Sequence, residues 1–97
     1  MNNLRRPPPD ANFPARKFTH HGVEYDLMRL SPDFNAEATA FSPHKTVSVK
    51  LPVFIGSVYV EAKASVKTHG LIYVLVKDDV GEVFGIWCFI EDVIFEG

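Results

Sequence analysis

Apolar and polar residues alternate with a period of two along much of the chain from residue 45 onward, the pattern of strands with one buried face. The strictest run is SVYVEAKASVK (57–67). Val58, Val60, Ala62, Ala64 and Val66 fall on one face, and Tyr59, Glu61, Lys63, Ser65 and Lys67 on the other. About eleven residues is long for a strand, so a bend midway is expected. The two alanines mark a place where another element packs close. Before this run, KTVSVKLPVF (45–54) sets Val47, Val49, Leu51 and Val53 against polar positions. Pro52 has no N–H for a ladder and puts that strand's end at an edge or a bend. After the run, His69-Gly70 makes a turn and LIYVLVK (71–77) reads as a central strand, apolar on both faces. DDVGE (78–82) reads as a hairpin turn with Gly81 in its permissive position. VFGIWCFI (83–90) is a second two-sided strand, with Gly85 at a bulge or bend. EDVIFEG closes the chain with one more short strand.

The N-terminal third follows other patterns. Residues 17–30 predict a β-hairpin: KFT, a turn at HHG, and the return strand VEYDLMRL, in which Val23, Tyr25 and Leu27 alternate with Glu24 and Asp26. Residues 31–43 predict a short helix within a connection, with Ser31 as N-cap, Pro32 in the first helical position and Asp33 in the first turn. Phe34, Ala38 and Phe41 share one helical face, and Ser42-Pro43 ends it; an irregular loop is the alternative. Residues 1–16 carry Pro7, Pro8, Pro9 and Pro14 and predict a disordered, Pro-rich basic arm.

Closely spaced strands joined by tight turns predict a mainly β fold. The expected form is a small antiparallel barrel over 17–97, with the short helix in a connection and the arm outside it. The stretch GLIYVLVKDDVGEVFGIWCFIEDVIFEG sharpens this. Two strands meet at an acidic glycine turn, the second carries Trp87, and a single turn at Ile90–Asp92 leads into the short strand Val93–Phe95. Residues 57–97 thus resemble the closing part of Src-homology-3-like small barrels. The resemblance implies the fold. It does not imply proline-peptide recognition, because no aromatic-rich opening motif is present and Trp87 lacks the usual surroundings.

Composition changes the picture in two places. At 97 residues the chain fits one domain, and with 46% hydrophobic residues it is too apolar to be disordered throughout. One cysteine, Cys88, leaves no internal disulfide and no multi-cysteine zinc site. With no signal peptide and no long apolar stretch, the expected location is the cytoplasm. The net charge of −2 is unevenly spread. Arg5, Arg6, Arg16 and Lys17 outweigh Asp10 at the N-terminus, whereas from residue 70 onward only Lys77 opposes Asp78, Asp79, Glu82, Glu91, Asp92 and Glu96. An acidic C-terminal third is a poor match for a phosphate backbone.

Candidate chemistry is sparse, so neither enzyme activity nor a cofactor is expected. His20, His21, His44 and His69 sit in turns without metal-ligand spacing, and adjacent histidines on an extended chain point apart. Cys88 lies between Trp87 and Phe89, where nothing favours a thiolate. The carboxylates cluster at a turn tip and a strand end, where solvated charge is the default. The aromatics carry the main signal. Residues 84–95 offer more apolar side chains than one face of a small barrel buries, and an exposed aromatic patch marks an interface.

The expectation is therefore a non-catalytic interaction module, a small accessory or inhibitory protein of the size phages and plasmids encode. It would bind a protein partner, or a second copy of itself, through Phe84, Trp87 and Phe89 with an acidic rim of Asp78, Asp79, Glu82, Glu91 and Asp92. One alternative is a nucleic-acid-binding barrel using Arg5, Arg6, Tyr59, Lys63 and Lys67. A second is an acidic nucleic-acid mimic that blocks a nucleic-acid-binding protein. A third is an enzyme assembled at an oligomer interface, which requires a symmetric oligomer.

Overall fold

The computed structural model describes residues 16–32 and 37–96. Seven strands follow one another: β1 (Arg16–His20), β2 (Val23–Leu27), β3 (Thr39–Lys50), β4 (Tyr59–Lys67), β5 (Leu71–Lys77), β6 (Val83–Phe89) and β7 (Val93–Phe95). A 3₁₀ turn, Ile90–Asp92, leads into β7. Strands β1 and β2 form a separate antiparallel hairpin. The other five form one antiparallel sheet in the order β6-β5-β4-β3-β7. The meander β3 to β6 is thus followed by a return, through the 3₁₀ turn, to the far side of β3, where Val93 pairs with Val49 and Phe95 with Val47.

The N-terminal hairpin forms where its sequence predicts it. Its two-residue turn places His21 at φ 52° and Gly22 at φ 82°, the left-handed pair a primed turn needs to match the strands' twist. Strand β1 begins at Arg16, one residue inside the expected arm; residues 1–15 lie outside the described residues.

Two expectations are corrected. Among the described residues of 31–43 the chain is not helical. Ser31, Pro32, Glu37 and Ala38 are irregular, and β3 already begins at Thr39, with Thr39 opposite Lys67 and Ala40 opposite Val66. The ladder with β4 outweighs the local helical spacing, and Phe41 packs against Phe95 of β7 at 5.7 Å between ring centroids. Phe34 lies outside the described residues. The second correction concerns the barrel: the sheet does not close. Strands β6 and β7 end it on either side without pairing to each other. With only three residues, β7 has its ladder on β3 alone.

The core lies on one face of the five-stranded sheet. Val47 and Val49, Val60, Ala62 and Ala64, Ile72, Val74 and Val76, and Ile86 and Cys88 point inward from β3 to β6. Phe18 and Leu27 of the hairpin complete it, each almost wholly buried. Burying side chains of this size contributes about 1.5–3 kcal/mol apiece. Leu27 also bridges to Val53. The Met28 N–H donates to the Pro52 carbonyl (2.8 Å), and the Phe54 N–H to the Asp26 carbonyl (3.1 Å). Pro52 therefore sits at a bend just past β3, as its missing N–H requires.

The expected bend in β4 is a bulge. Ala64 pairs with Val74 of β5, but the next pair is Val66 with Tyr73, so Ser65 is an extra residue on the β4 side. One extra residue exchanges the two faces for everything that follows. Val66 turns to the outer face beside Tyr73, and Lys67 to the side of Ile72. Outside the core, β5 and β6 present Leu71, Tyr73, Leu75, Gly85, Trp87 and Phe89 on the outer face, with none of these side chains charged.

Candidate interaction surface

The β5–β6 turn is fastened from within. The Asp78 carboxylate accepts from the backbone N–H groups of Val80 (3.1 Å) and Glu82 (2.9 Å), and the Gly81 N–H donates to the Asp78 carbonyl (3.0 Å). Gly81 holds φ 90°, which a β-carbon would strain. Asp79 reaches across to the other hairpin. One of its carboxylate oxygens accepts from the His21 N–H (3.0 Å), the other from the Gly22 N–H (2.9 Å), and its own N–H donates to the Thr19 carbonyl (3.1 Å). Those donors, first Gly22 and then His21, hold the Asp79 carboxyl below its usual pKa. Glu82 pairs with Arg16 at 3.0 Å, and the Arg16 guanidinium lies 3.9 Å from the centroid of the Phe84 ring. Phe84 in turn meets Phe18 edge-on at 5.9 Å. Of the expected acidic rim, Asp78 thus fastens its own turn, while Asp79 and Glu82 join the N-terminal hairpin to the sheet.

Midway along β6 the surface is different. Tyr73 stands opposite Trp87, with ring centroids 5.1 Å apart and planes inclined at 58°. A β-carbon on Gly85 would collide with the ring and hydroxyl of Tyr73. The aromatic ring therefore lies over bare backbone, a cross-strand device that shields a strand glycine. Met28, Arg29, Leu30 and Ser31, the stretch after β2, form the facing wall of a groove that Tyr73, Gly85, Ile86 and Trp87 complete, about 280 Å³ in volume. Trp87 and Phe89 are half-buried in the isolated chain.

Beyond Phe89, the 3₁₀ turn carries Glu91, exposed, and Asp92, half-buried. Cys88 faces the core. Burial, and after it the Asp92 charge, pushes its thiol up to about 12, so it stays neutral and a poor nucleophile at neutral pH. His21, His44 and His69 are exposed, while His20 is half-buried and stacks on Phe18. Among the described residues, no group of three or more histidine, cysteine or acidic side chains is placed to hold a metal ion. No helix there is long and apolar enough to cross a membrane.

The expected basic patch is divided. Tyr59, 62% exposed, and Lys63 share the outer face with Lys50 and Thr46 of β3, and the Lys63 ammonium donates to the Thr46 hydroxyl at 2.6 Å. Glu61 lies between them. Lys67 leaves this face because of the bulge at Ser65. Arg5 and Arg6 lie outside the described residues.

Three parts of the groove escaped the sequence reading. By sequence Tyr73 belongs to a central strand, Gly85 to a bulge or bend, Met28–Leu30 to the end of a strand and Ser31 to a helix N-cap. The available signal was Gly85 itself: a glycine in a run of large apolar residues calls for an element close to its backbone. No protein-family model matches this chain, and no curated protein or solved structure matches it either.

Proposed function

We propose that this domain is a non-catalytic protein-interaction module that binds through the outer face of β5 and β6. The contact is centred on the Tyr73–Gly85–Trp87 groove and extends to Phe89. The observation that carries this reading is a half-buried aromatic cluster beside a groove, on an outer sheet face with no charged side chain between Leu71 and Leu75 or between Gly85 and Phe89. Aromatic anchors in a recess are the groups that dominate binding energy at interfaces. The acidic turn supports the contact indirectly, since Asp78, Asp79 and Glu82 are engaged within the chain. For the same reason the reading as an acidic phosphate mimic draws little support. At the level of fold, we read the domain as an Src-homology-3-like small barrel left open. The meander, the 3₁₀ turn and the return of β7 to the meander's first strand support that assignment. The expectation of a small accessory or inhibitory protein acting in the cytoplasm remains part of this proposal.

A second reading has one observation in its favour. Tyr59, with Lys50 opposite it and Lys63 on the same face, is the arrangement on which a single-stranded nucleic acid could stack. The two readings separate in one experiment. The tagged protein, its Trp87→Ala variant and a Lys50→Glu/Lys63→Glu variant are each used to capture partners at low and high salt, with and without nuclease. A discrete protein that resists both treatments and is lost with Trp87→Ala supports the aromatic contact. Capture lost with nuclease, salt or the lysine variant supports nucleic acid. Melting curves of the variants show whether either loss is merely unfolding.

A further inference from the structure

We infer that the partner at this contact site is an extended protein strand that adds to the free edge of β6. Its middle is apolar or uncharged, and a lysine or arginine stands at each end. The inference rests on the proposed contact site and names the binding mode and the chemistry of the partner.

Three observations converge. The first is which backbone groups face outward. The Asp78 N–H donates to the Glu82 carbonyl (3.1 Å), and the Ile90 N–H to the Gly70 carbonyl (3.0 Å). Between these two pairs the β5–β6 register is unbroken, from Lys77 opposite Val83 to Leu71 opposite Phe89. Bonded and non-bonded pairs alternate along an antiparallel ladder, so Phe84, Ile86 and Cys88 bond to β5. Val83, Gly85, Trp87 and Phe89 turn their N–H and C=O groups away from it. Among the described residues no further strand meets these groups, since β6 ends the sheet, and no backbone hydrogen bond joins them to Met28–Ser31 across the groove. The second observation is that this edge is undefended. Sheet edges are ordinarily blunted by shortness, charge, proline or a bulge. At the opposite edge β7 has only three residues. Strand β6 has seven, none charged and none proline, with no register shift. The groove of about 280 Å³ beside Gly85 and Trp87 leaves room there for an added backbone.

The third observation is charge, and it decides the occupant. The free edge runs between two acidic ends. At one, Glu82 is matched by Arg16, but Asp78 and Asp79 accept from neutral backbone N–H groups, which leave their charge in place. At the other stand Glu91 and Asp92, and after Lys77 the chain has no lysine or arginine. A second copy pairing antiparallel about Ile86, with Gly85 of each opposite Trp87 of the other, would set Glu91 and Asp92 beside the acidic turn of its mate. Like charges facing across a ladder destabilise it. A strand with a basic residue at each end meets carboxylates at both, and such a match steers and registers an encounter. The backbone ladder supplies the affinity, as in other strand additions to a sheet edge.

The probe is a synthetic peptide of alternating valine and threonine with a pair of lysines at each end, added to the full-length protein. Amide hydrogen exchange is followed residue by residue by NMR. The N–H groups of Gly85, Trp87 and Phe89 are expected to exchange more slowly by about tenfold or more when the peptide is present. Two control peptides are expected to give no protection: one with glutamates in place of the lysines, and one N-methylated through its middle, which keeps the side chains but has no ladder donors. Glu91→Lys/Asp92→Lys is expected to weaken the lysine peptide several-fold, with melting curves confirming that the domain is intact. Exchange unchanged by the lysine peptide overturns the inference, as does equal protection by either control. Edge amides already protected without peptide, in a dimer that dissociates on dilution, place a second copy there and overturn it too. The contact site is judged separately by the Trp87-dependent capture above. Capture that depends on Trp87, with edge amides indifferent to the peptide, removes the strand and leaves the site. Peptide protection with capture indifferent to Trp87 leaves the strand and removes the aromatic site.

Discussion

The turn that joins β5 to β6 and the middle of the same two strands lie only a few residues apart, yet their side chains are used in opposite ways. At the turn, each carboxylate has a partner in the chain. Asp78 holds the turn's own N–H groups, Asp79 those of His21 and Gly22, and Glu82 the Arg16 guanidinium. In the middle, Tyr73 shields Gly85, Trp87 stands beside it, and Met28–Ser31 faces them across a groove. A cluster of charge at a turn looks like a docking site in a sequence; here its carboxylates are bonded within the chain. The neighbouring aromatics leave a groove beside them, and that groove is where the proposed contact is centred.

The joinery is tested most severely at Phe18. It is 1% exposed and touches Phe84 edge-on, so it links the N-terminal hairpin to β6 from below while Asp79 does so from the rim. Phe18→Ala is expected to destabilise the domain by about 3–5 kcal/mol, the range for emptying a buried phenylalanine site. Denaturant unfolding measures this. A loss below about 1 kcal/mol would mean that the hairpin is not anchored through the core and that the polar contacts at the turn carry it.

The aromatic face has its own probe, and there the sign decides. On an open strand, replacing glycine by alanine gains about 0.5–1 kcal/mol, because glycine loses the most entropy on folding. At Gly85 the added methyl meets the Tyr73 ring. Gly85→Ala is therefore expected to cost about 1–3 kcal/mol, as overpacking does, and to disturb the near-ultraviolet dichroism of the Tyr73–Trp87 pair. A gain in stability would show that Tyr73 does not lie over Gly85, and the groove would lose its floor.

What could be read from the sequence divides along the range of the interactions. Strand β5, its turn and the single turn before β7 were legible at their observed limits, and β6 to within one residue, because the apolar runs and Gly81 are local signals. The helix expected at 31–43 failed because Ala38 and Phe41 are compatible with either state, and the deciding term is pairing with Val66 and Lys67, more than twenty residues on. The bulge at Ser65 was visible only as excess strand length, and the exchange of faces that removes Lys67 from the basic patch requires the register. Trp87 and Phe89 were legible as surface candidates. The groove beside Trp87 was not, since its other wall comes from Met28–Ser31, more than fifty residues earlier.

The smallest expected effect concerns Asp79, and it shows whether the rim is structural. Its carboxyl has a lower pKa in the fold than in the unfolded chain, chiefly through the Gly22 and His21 N–H groups. A depressed carboxylate adds stability that is present above the unfolded pKa, about 3.9, and that is lost as pH falls through the folded value. Asp79→Asn keeps one acceptor oxygen but turns an amide NH₂ toward the second backbone donor. It is expected to melt at a lower temperature than the natural chain at neutral pH, with the gap narrowing as the solution is acidified below pH 4. Because Asp79 is exposed, added salt weakens the difference only as far as it screens the charge; the two hydrogen bonds remain. Melting curves that run parallel from neutral to acid pH would show that the carboxylate does not clamp the hairpin. Asp79 would then be free to face a partner, and the acidic turn would rejoin the aromatic face as one surface.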